Sequence, residues 1–149
     1  MTGSEVVLDV GCGHGLLLIG AAKKLTSGKA HGLDLWAQAD QANNSKDATL
    51  KNAEIEGVED RVEIHNGDMR KMPFADSTFD AIMSSWTIHN IYDREEREKA
   101  LSEIVRVLKP GGKIAILDID HARSYREYFA SRSLADMRLL GPHFLPSGT

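Results

Sequence analysis

Asp9-Val10-Gly11-Cys12-Gly13-His14-Gly15 is the stretch on which the fold of this chain turns. Before it runs EVVLDV, a β-branched strand pattern over residues 5–10. After it comes an apolar helical pattern over 15–26, closed by Ser27-Gly28. Glycines at a strand-to-helix junction permit positive φ and let a ligand approach the backbone without a Cβ in the way. The amides at the start of the helix are unpaired donors, suited to an anionic or polar ligand group. Such a loop taken alone reads equally well as a tight turn. Its place gives it weight, because open α/β sheets bind ligands at strand C-termini near a topological switch point.

Outward from this loop the pattern repeats. Strands are expected over 29–34, 61–66, 79–84 and 113–119, with helices over 45–56, 93–108 and 124–134. Asp93 and Glu96 have capping-box spacing, and Leu101, Ile104, Val105 and Leu108 fall on one helical face. Lys109-Pro110-Gly111-Gly112 is expected to stop that helix as a turn. Alternation of strand and helix predicts an α/β fold with a parallel sheet. No repeat, low-complexity tract or linker interrupts it, so residues 1–149 are expected to form one domain.

Two further strand ends carry carboxylates. Asp34 ends the second strand, 19 residues beyond Gly15, where it can accept from the 2′ and 3′ hydroxyls of a ribose. Asp68, in Asn66-Gly67-Asp68-Met69, follows the third strand; its carboxylate can accept from an adenine amine while the Met69 amide donates to a ring nitrogen. Each of these aspartates alone reads as a loop or turn residue. Three such features at three successive strand ends argue for a nucleoside-like ligand.

Here the sequence resembles the class I S-adenosylmethionine (SAM)-dependent methyltransferases, on VVLDVGCGHG, GLDLW, NGDMRKMPF, FDAIMSSWTIHNI and EIVRVLKPGGKIAILD, together about residues 5–120. The resemblance implies a Rossmann-like doubly wound sheet, mostly parallel, with helices on both faces. It implies SAM as cofactor, bound by Asp9, Gly11, Cys12, Gly13 and Gly15 of the loop, by Asp34, Leu35 and Trp36, by Asp68 and Met69, and by Ser84 and Ser85. A nicotinamide dinucleotide is the rival cofactor. Its G-x-G-x-x-G fingerprint needs glycine at position 16, where this chain has Leu16.

Methyl transfer from a sulfonium is an in-line displacement, so alignment is the main demand, and a base is needed only where the acceptor must lose a proton. The segment Ser84 to Asn90 is expected to face the methyl group. It lacks the Asn or Asp, two prolines and aromatic carried by enzymes of this fold that methylate amides or exocyclic amines, which points to a small-molecule acceptor. His89 is the candidate general base; the plainer reading, that it caps a helix or lines the substrate wall, is preferred. The alternative to an enzyme is a SAM-binding module without turnover, acting as a sensor or partner subunit.

Composition narrows the remaining classes. Lys plus Arg number 18 against 22 Asp plus Glu, a net charge of −4, which is a poor match for a nucleic-acid binder. The single cysteine, Cys12, rules out an intrachain disulfide and fits a cytoplasmic protein. No apolar run approaches a membrane span, so no membrane contact is expected. Histidines 14, 31, 65, 89, 121 and 143 show no ligand spacing, so no metal is expected. The first strand begins near residue 5, without the helices that family members usually place before it. A piece of a longer protein, or a minimal core completed by a partner, is therefore expected. After residue 134 a short sixth strand over 136–140 is conceivable, but the final antiparallel strand of the family is expected to be missing. The fifth strand would then offer an apolar edge for self-association.

Overall fold

The computed structural model describes residues 1–36 and 45–134. Five strands, β1 (Val6–Val10), β2 (Lys29–Asp34), β3 (Val62–Asn66), β4 (Phe79–Ser85) and β5 (Leu108–Leu117), form one sheet in the order β3-β2-β1-β4-β5. All four pairings are parallel. Among the described residues four helices accompany them: α1 (Leu16–Ala22), α2 (Lys46–Ile55), α3 (Arg94–Val107) and α4 (Ala122–Ser131). The chain leaves β1 towards β2 and β3, then returns to the other side of β1 for β4 and β5. Right-handed crossovers taken in opposite directions put helices on opposite faces. Two cores result. Leu8 and Val10 of β1 pack with Leu101, Ile104 and Val107 of α3 and with Tyr125 and Phe129 of α4. Val7, the residue before Leu8, packs on the other face with Leu18, Ile19 and Ala22 of α1 and Ala53 of α2. This is the doubly wound α/β architecture, and it leaves a crevice at the C-terminal ends of β1 and β4, where the winding direction reverses.

The central strands are buried on both faces, which is why β1 is an uninterrupted apolar run apart from Asp9. The Ser45 side chain caps α2 by accepting from the Ala48 amide. Asp93 caps α3 by accepting from the Glu96 amide at 2.9 Å. The capping box is half formed, because the Glu96 carboxylate is held by Arg70 and Lys99.

Several boundaries differ from expectation. Helix α1 ends at Ala22, four residues early, and the chain closes through turns against Gly3. Residues 59–61 form a short 3₁₀ turn (Glu59–Arg61), so β3 starts at Val62. The stop at 109–112 is not a free turn. Leu108 already pairs with Phe79, and the register then jumps so that Lys113 meets Ala81, which makes Lys109 to Gly112 a bulge within β5. Helix α4 starts two residues and ends three residues earlier than expected. Among the described residues β5 pairs with β4 alone. The conceivable strand over 136–140 lies outside the described residues. No helix among the described residues is long and apolar enough to cross a membrane.

Candidate functional site

The glycine loop occupies the crevice. Gly11, Gly13 and Gly15 all have left-handed backbone, with φ of 72°, 47° and 90°. At Gly11 this is reinforced by packing, since a Cβ there would lie 2.2 Å from Thr87 Cγ2. The loop is tied to its neighbours by backbone bonds: the Gly11 and Cys12 amides both donate to the Leu33 carbonyl, and Gly15 donates to Cys12. The Thr49 hydroxyl, completely buried in α2, donates to the Gly13 carbonyl at 2.6 Å.

A cavity of about 400 Å³ opens over this loop, lined by Asp9, Gly11 to His14, Leu16, Leu17, Ser85, Trp86 and Leu117. That volume is in the range of small-molecule sites. Asp9 is 2% exposed, and its carboxylate accepts from the Leu18 amide at 3.0 Å. Burial, with the Asp34 charge adding to it, pushes its pKa up to about 7. Among the described residues, His14 Nε2 is the buried side-chain polar atom that lacks a hydrogen-bond partner, and it belongs to the wall of this cavity. A polar group arriving there would satisfy it.

Asp34 braces the loop from β2. Its Oδ2 accepts from the Gly13 amide and its Oδ1 from the Trp36 amide, each at 2.8 Å. A second cavity, also of about 400 Å³, lies beside Leu35, Asp68, Met69, Arg70, the stretch Asn90 to Asp93, and Glu96. Asp68 is clamped by Arg70, whose Nη2 reaches Oδ2 at 2.6 Å and whose Nη1 reaches Glu96 at 2.8 Å. Its hydrogen bonds from Arg70 hold the Asp68 carboxyl below its ordinary range.

The expected site residues thus fall into groups. Asp9, Gly11, Cys12, Gly13 and Ser85 line the first cavity; Leu35, Asp68 and Met69 line the second. Gly15 shapes the loop as the cap of α1. Two of the expected residues, Ser84 and Trp36, lie outside both cavities. Ser84 is 1% exposed and donates its hydroxyl to the Val10 carbonyl, because alternation along β4 turns it away from Ser85. Trp36 lines neither cavity; it packs against the α1-side core and donates through Nε1 to Asn66 Oδ1. Cys12, although in the wall, is 6% exposed, and burial pushes its thiol well above the usual range, which removes thiolate chemistry.

Trp86, inside the segment expected to face the methyl group, is 60% exposed with φ of 54°. Other groups escaped the sequence reading. Arg70 became visible when Asp68 was seen to pair with it. His31, Glu63 and His65 cluster across β2 and β3, with His31 Nδ1 and His65 Nε2 hydrogen-bonded at 3.0 Å. Linear spacing could not reveal that group, since parallel register brings it together. His89 stands in a 3₁₀ turn (Ile88–Asn90) after β4, bonded through Nδ1 to Asp118.

Comparison with known proteins follows the same geometry. The family described as "Methyltransferase domain" matches residues 8–116. Methyltransferase GfsG of Streptomyces halstedii is 36% identical over 113 residues, covering 76% of this chain and 37% of that protein. A demethylmenaquinone methyltransferase of Lactobacillus johnsonii is 33% identical over 117 residues, covering 76% of this chain and 43% of its own length. The crystal structure of a SAM-dependent methyltransferase from Aquifex aeolicus superposes with a TM-score of 0.64 at 26% identity, over 93% of this chain and 61% of that one. The chain spans less than half the length of these two curated relatives.

Proposed function

The chain belongs to the methyltransferase domain family, and from that premise we propose that it transfers a methyl group from S-adenosylmethionine to a small-molecule acceptor. The observation that carries this reading is the left-handed glycine loop beneath a cavity, braced by the Asp34 carboxylate on the Gly13 amide. The residues present fit the cofactor. Gly11, Cys12 and Gly13 leave the loop without bulky side chains against the ligand, and His14 Nε2 offers a buried polar atom in need of a partner. Asp9 and Ser85 would sit beside the amino-acid end, and Asp34 would accept from the ribose. Leu35, Asp68 and Met69 would hold the adenine in the second cavity. Bound there, the cofactor supplies an electrophilic methyl group on a positively charged sulfur.

This chain's own residues do the positioning. Fixed loop amides and strand-end carboxylates orient the ligand, and Trp86 and Leu117 form an apolar wall over the glycine loop. Such alignment is the principal source of rate in a displacement of this kind. The net charge of −4 and the name of the quinone-methylating relative both favour a small molecule over a nucleic acid as acceptor. Isothermal calorimetry with SAM, its demethylated product and NAD tests the reading. SAM and its product are expected to bind, and binding of NAD alone would overturn the assignment.

A further inference from the structure

β2 and β3 bring three side chains able to ligate a metal together on the sheet face that carries Leu33. In the parallel register His31 lies opposite Glu63, and Leu33 lies opposite His65. Residues two apart on a strand share a face, so His31, Glu63 and His65 stand on the same side. His31 Nδ1 and His65 Nε2 are hydrogen-bonded at 3.0 Å, and a Glu63 carboxylate oxygen is 3.7 Å from His31 Nδ1. One ligand-capable atom of each residue lies within 4.8 Å of those of the other two. None of the three lines either cavity, so the methyl-transfer reading gives them no task.

The spacing suits a small tetrahedral ion. Zinc bonds of about 2.0–2.1 Å set neighbouring ligand atoms about 3.3 Å apart. The separations of 3.0 and 3.7 Å bracket that value. Packing holds the two rings in place. Phe79, fully buried, meets His31 edge to face at 5.5 Å between centroids, and Phe74 meets His65 in the same way at 4.9 Å. Arg106 fixes Phe74 in turn by donating to its carbonyl at 2.7 Å. Burial lowers the pKa of both rings, so the neutral form that ligates is the form present at pH 7. Lys29 beside His31 and Lys46 beside His65 repel a cation, and the Glu63 charge acts on both rings in the opposite sense. The Glu63 side chain is 56% exposed, which leaves the ion an approach from solvent.

We propose that His31, Glu63 and His65 form a binding site for one divalent transition-metal ion of the zinc type, which ties β3 to β2. Imidazole nitrogens suit zinc, copper and nickel, whereas magnesium prefers an octahedron of oxygens. Water completes the coordination. In the hydrogen-bonded pair one ring donates and the other accepts. On binding, the donor ring passes its proton through solvent to its other nitrogen, and His31 Nδ1 and His65 Nε2 both turn lone pairs to the ion. No net proton is released. Among the described residues β3 pairs with β2 alone and ends the sheet order, so a cross-link there fastens an edge strand. Lying outside both cavities, the ion serves the fold and takes no part in methyl transfer. Histidine spacing along the chain gave no reason to expect a metal; strand register creates this ligand set.

Calorimetry of the chelator-treated chain with zinc chloride, and separately with magnesium chloride, tests the site. One zinc ion per chain is expected to bind, in the micromolar range or tighter, and magnesium is expected not to compete. Glu63→Gln keeps the shape of an exposed side chain and removes a ligand charge. It should weaken zinc at least about tenfold, since loss of a group that merely orients a ligand already costs that much. His65→Gln should weaken it further. Zinc at about a hundredfold excess over its Kd should raise the melting temperature by about 5–10 °C, and Glu63→Gln should lose that gain at the same concentration. Nitrogen NMR of labelled histidine reads the unaltered chain and needs no variant to fold. Zinc should move the ring signals of His31 and His65 together and leave their protons on His31 Nε2 and His65 Nδ1. Failure of zinc to bind, magnesium bound as tightly, zinc affinity unchanged in Glu63→Gln, or ring signals of His31 and His65 unmoved by zinc would each overturn the proposal. SAM binding is no part of these measurements, so they stand or fall apart from the methyl-transfer reading.

Discussion

Asp34 braces the glycine loop from β2, because one carboxylate accepts from Gly13 of that loop and from Trp36 beyond β2. Its replacement by alanine should cost more than ligand contacts. Hydrogen bonds to a charged group contribute about 1.5–3 kcal/mol each, so SAM affinity should fall tenfold or more in Asp34→Ala. Calorimetry on a variant with intact circular dichroism checks this, and unchanged affinity would place the ribose elsewhere. At this scale the sequence was informative about identity and poor about direction. Asp34 and Asp68 could be picked from their strand ends, but not that Asp68 would be gripped by Arg70. Ser84 and Ser85 are equivalent in a string of letters, and β4's pleat alone decides that Ser84 turns inward. His89 was readable only as an imidazole in the segment after β4; its partner Asp118 lies 29 residues away and is brought close by strand pairing.

The loop from Gly67 to Thr78, which carries Asp68 and Met69, shows how an element is held without regular structure. Arg106 of α3 donates to the Phe74 carbonyl at 2.7 Å, to Asp76 at 2.8 Å and to the Met72 carbonyl at 3.2 Å. Glu103, one turn earlier, accepts the Met72 amide at 2.6 Å. Arg106→Ala would leave two carbonyls to find new donors at about 1–3 kcal/mol in total. Urea denaturation should show that loss, and hydrogen exchange should rise across residues 67–78. SAM affinity is expected to fall as well, because Asp68 and Met69, proposed to hold the adenine, ride on this loop; exchange unchanged there would show that α3 does not anchor it. Helix periodicity over 93–108 located α3, but it said nothing of this role, which depends on the loop that packs against the helix. The bulge at Lys109 to Gly112 was misread for a related reason. Pro and Gly mark a break in local structure, and whether the break falls between elements or inside a strand depends on the partner strand.

For the molecule as a whole, Asp9 couples stability to pH. Buried at the end of the central strand, it has a pKa raised to about 7, whereas the unfolded chain keeps it near 3.8. Between those values the folded form holds more protons than the unfolded form. Stability is therefore full below about pH 4 as far as this group is concerned, and falls as pH rises through about 7. Asp9→Asn keeps an acceptor for the Leu18 amide and removes the charge. Relative to the unaltered chain, it should gain roughly 2–4 kcal/mol at pH 8 and little at pH 4. Thermal unfolding of both proteins at the two pH values measures the difference. An equal pH dependence in both would show that Asp9 does not carry the effect.

The sequence by itself determined the class of fold and the place of the glycine loop. Alternating strand and helix periods are local properties, and glycines at a strand-to-helix junction are needed whatever lies around them. Tertiary structure alone decided which side chains meet. Strand order sets β4 beside β1, so that Thr87 fills the space a Cβ at Gly11 would need and Ser84 bonds Val10. Pairing of β4 with β5 sets Asp118 under His89. Those contacts join residues far apart in the chain, and no local preference encodes them; burial of two apolar sheet faces imposes the register that creates them.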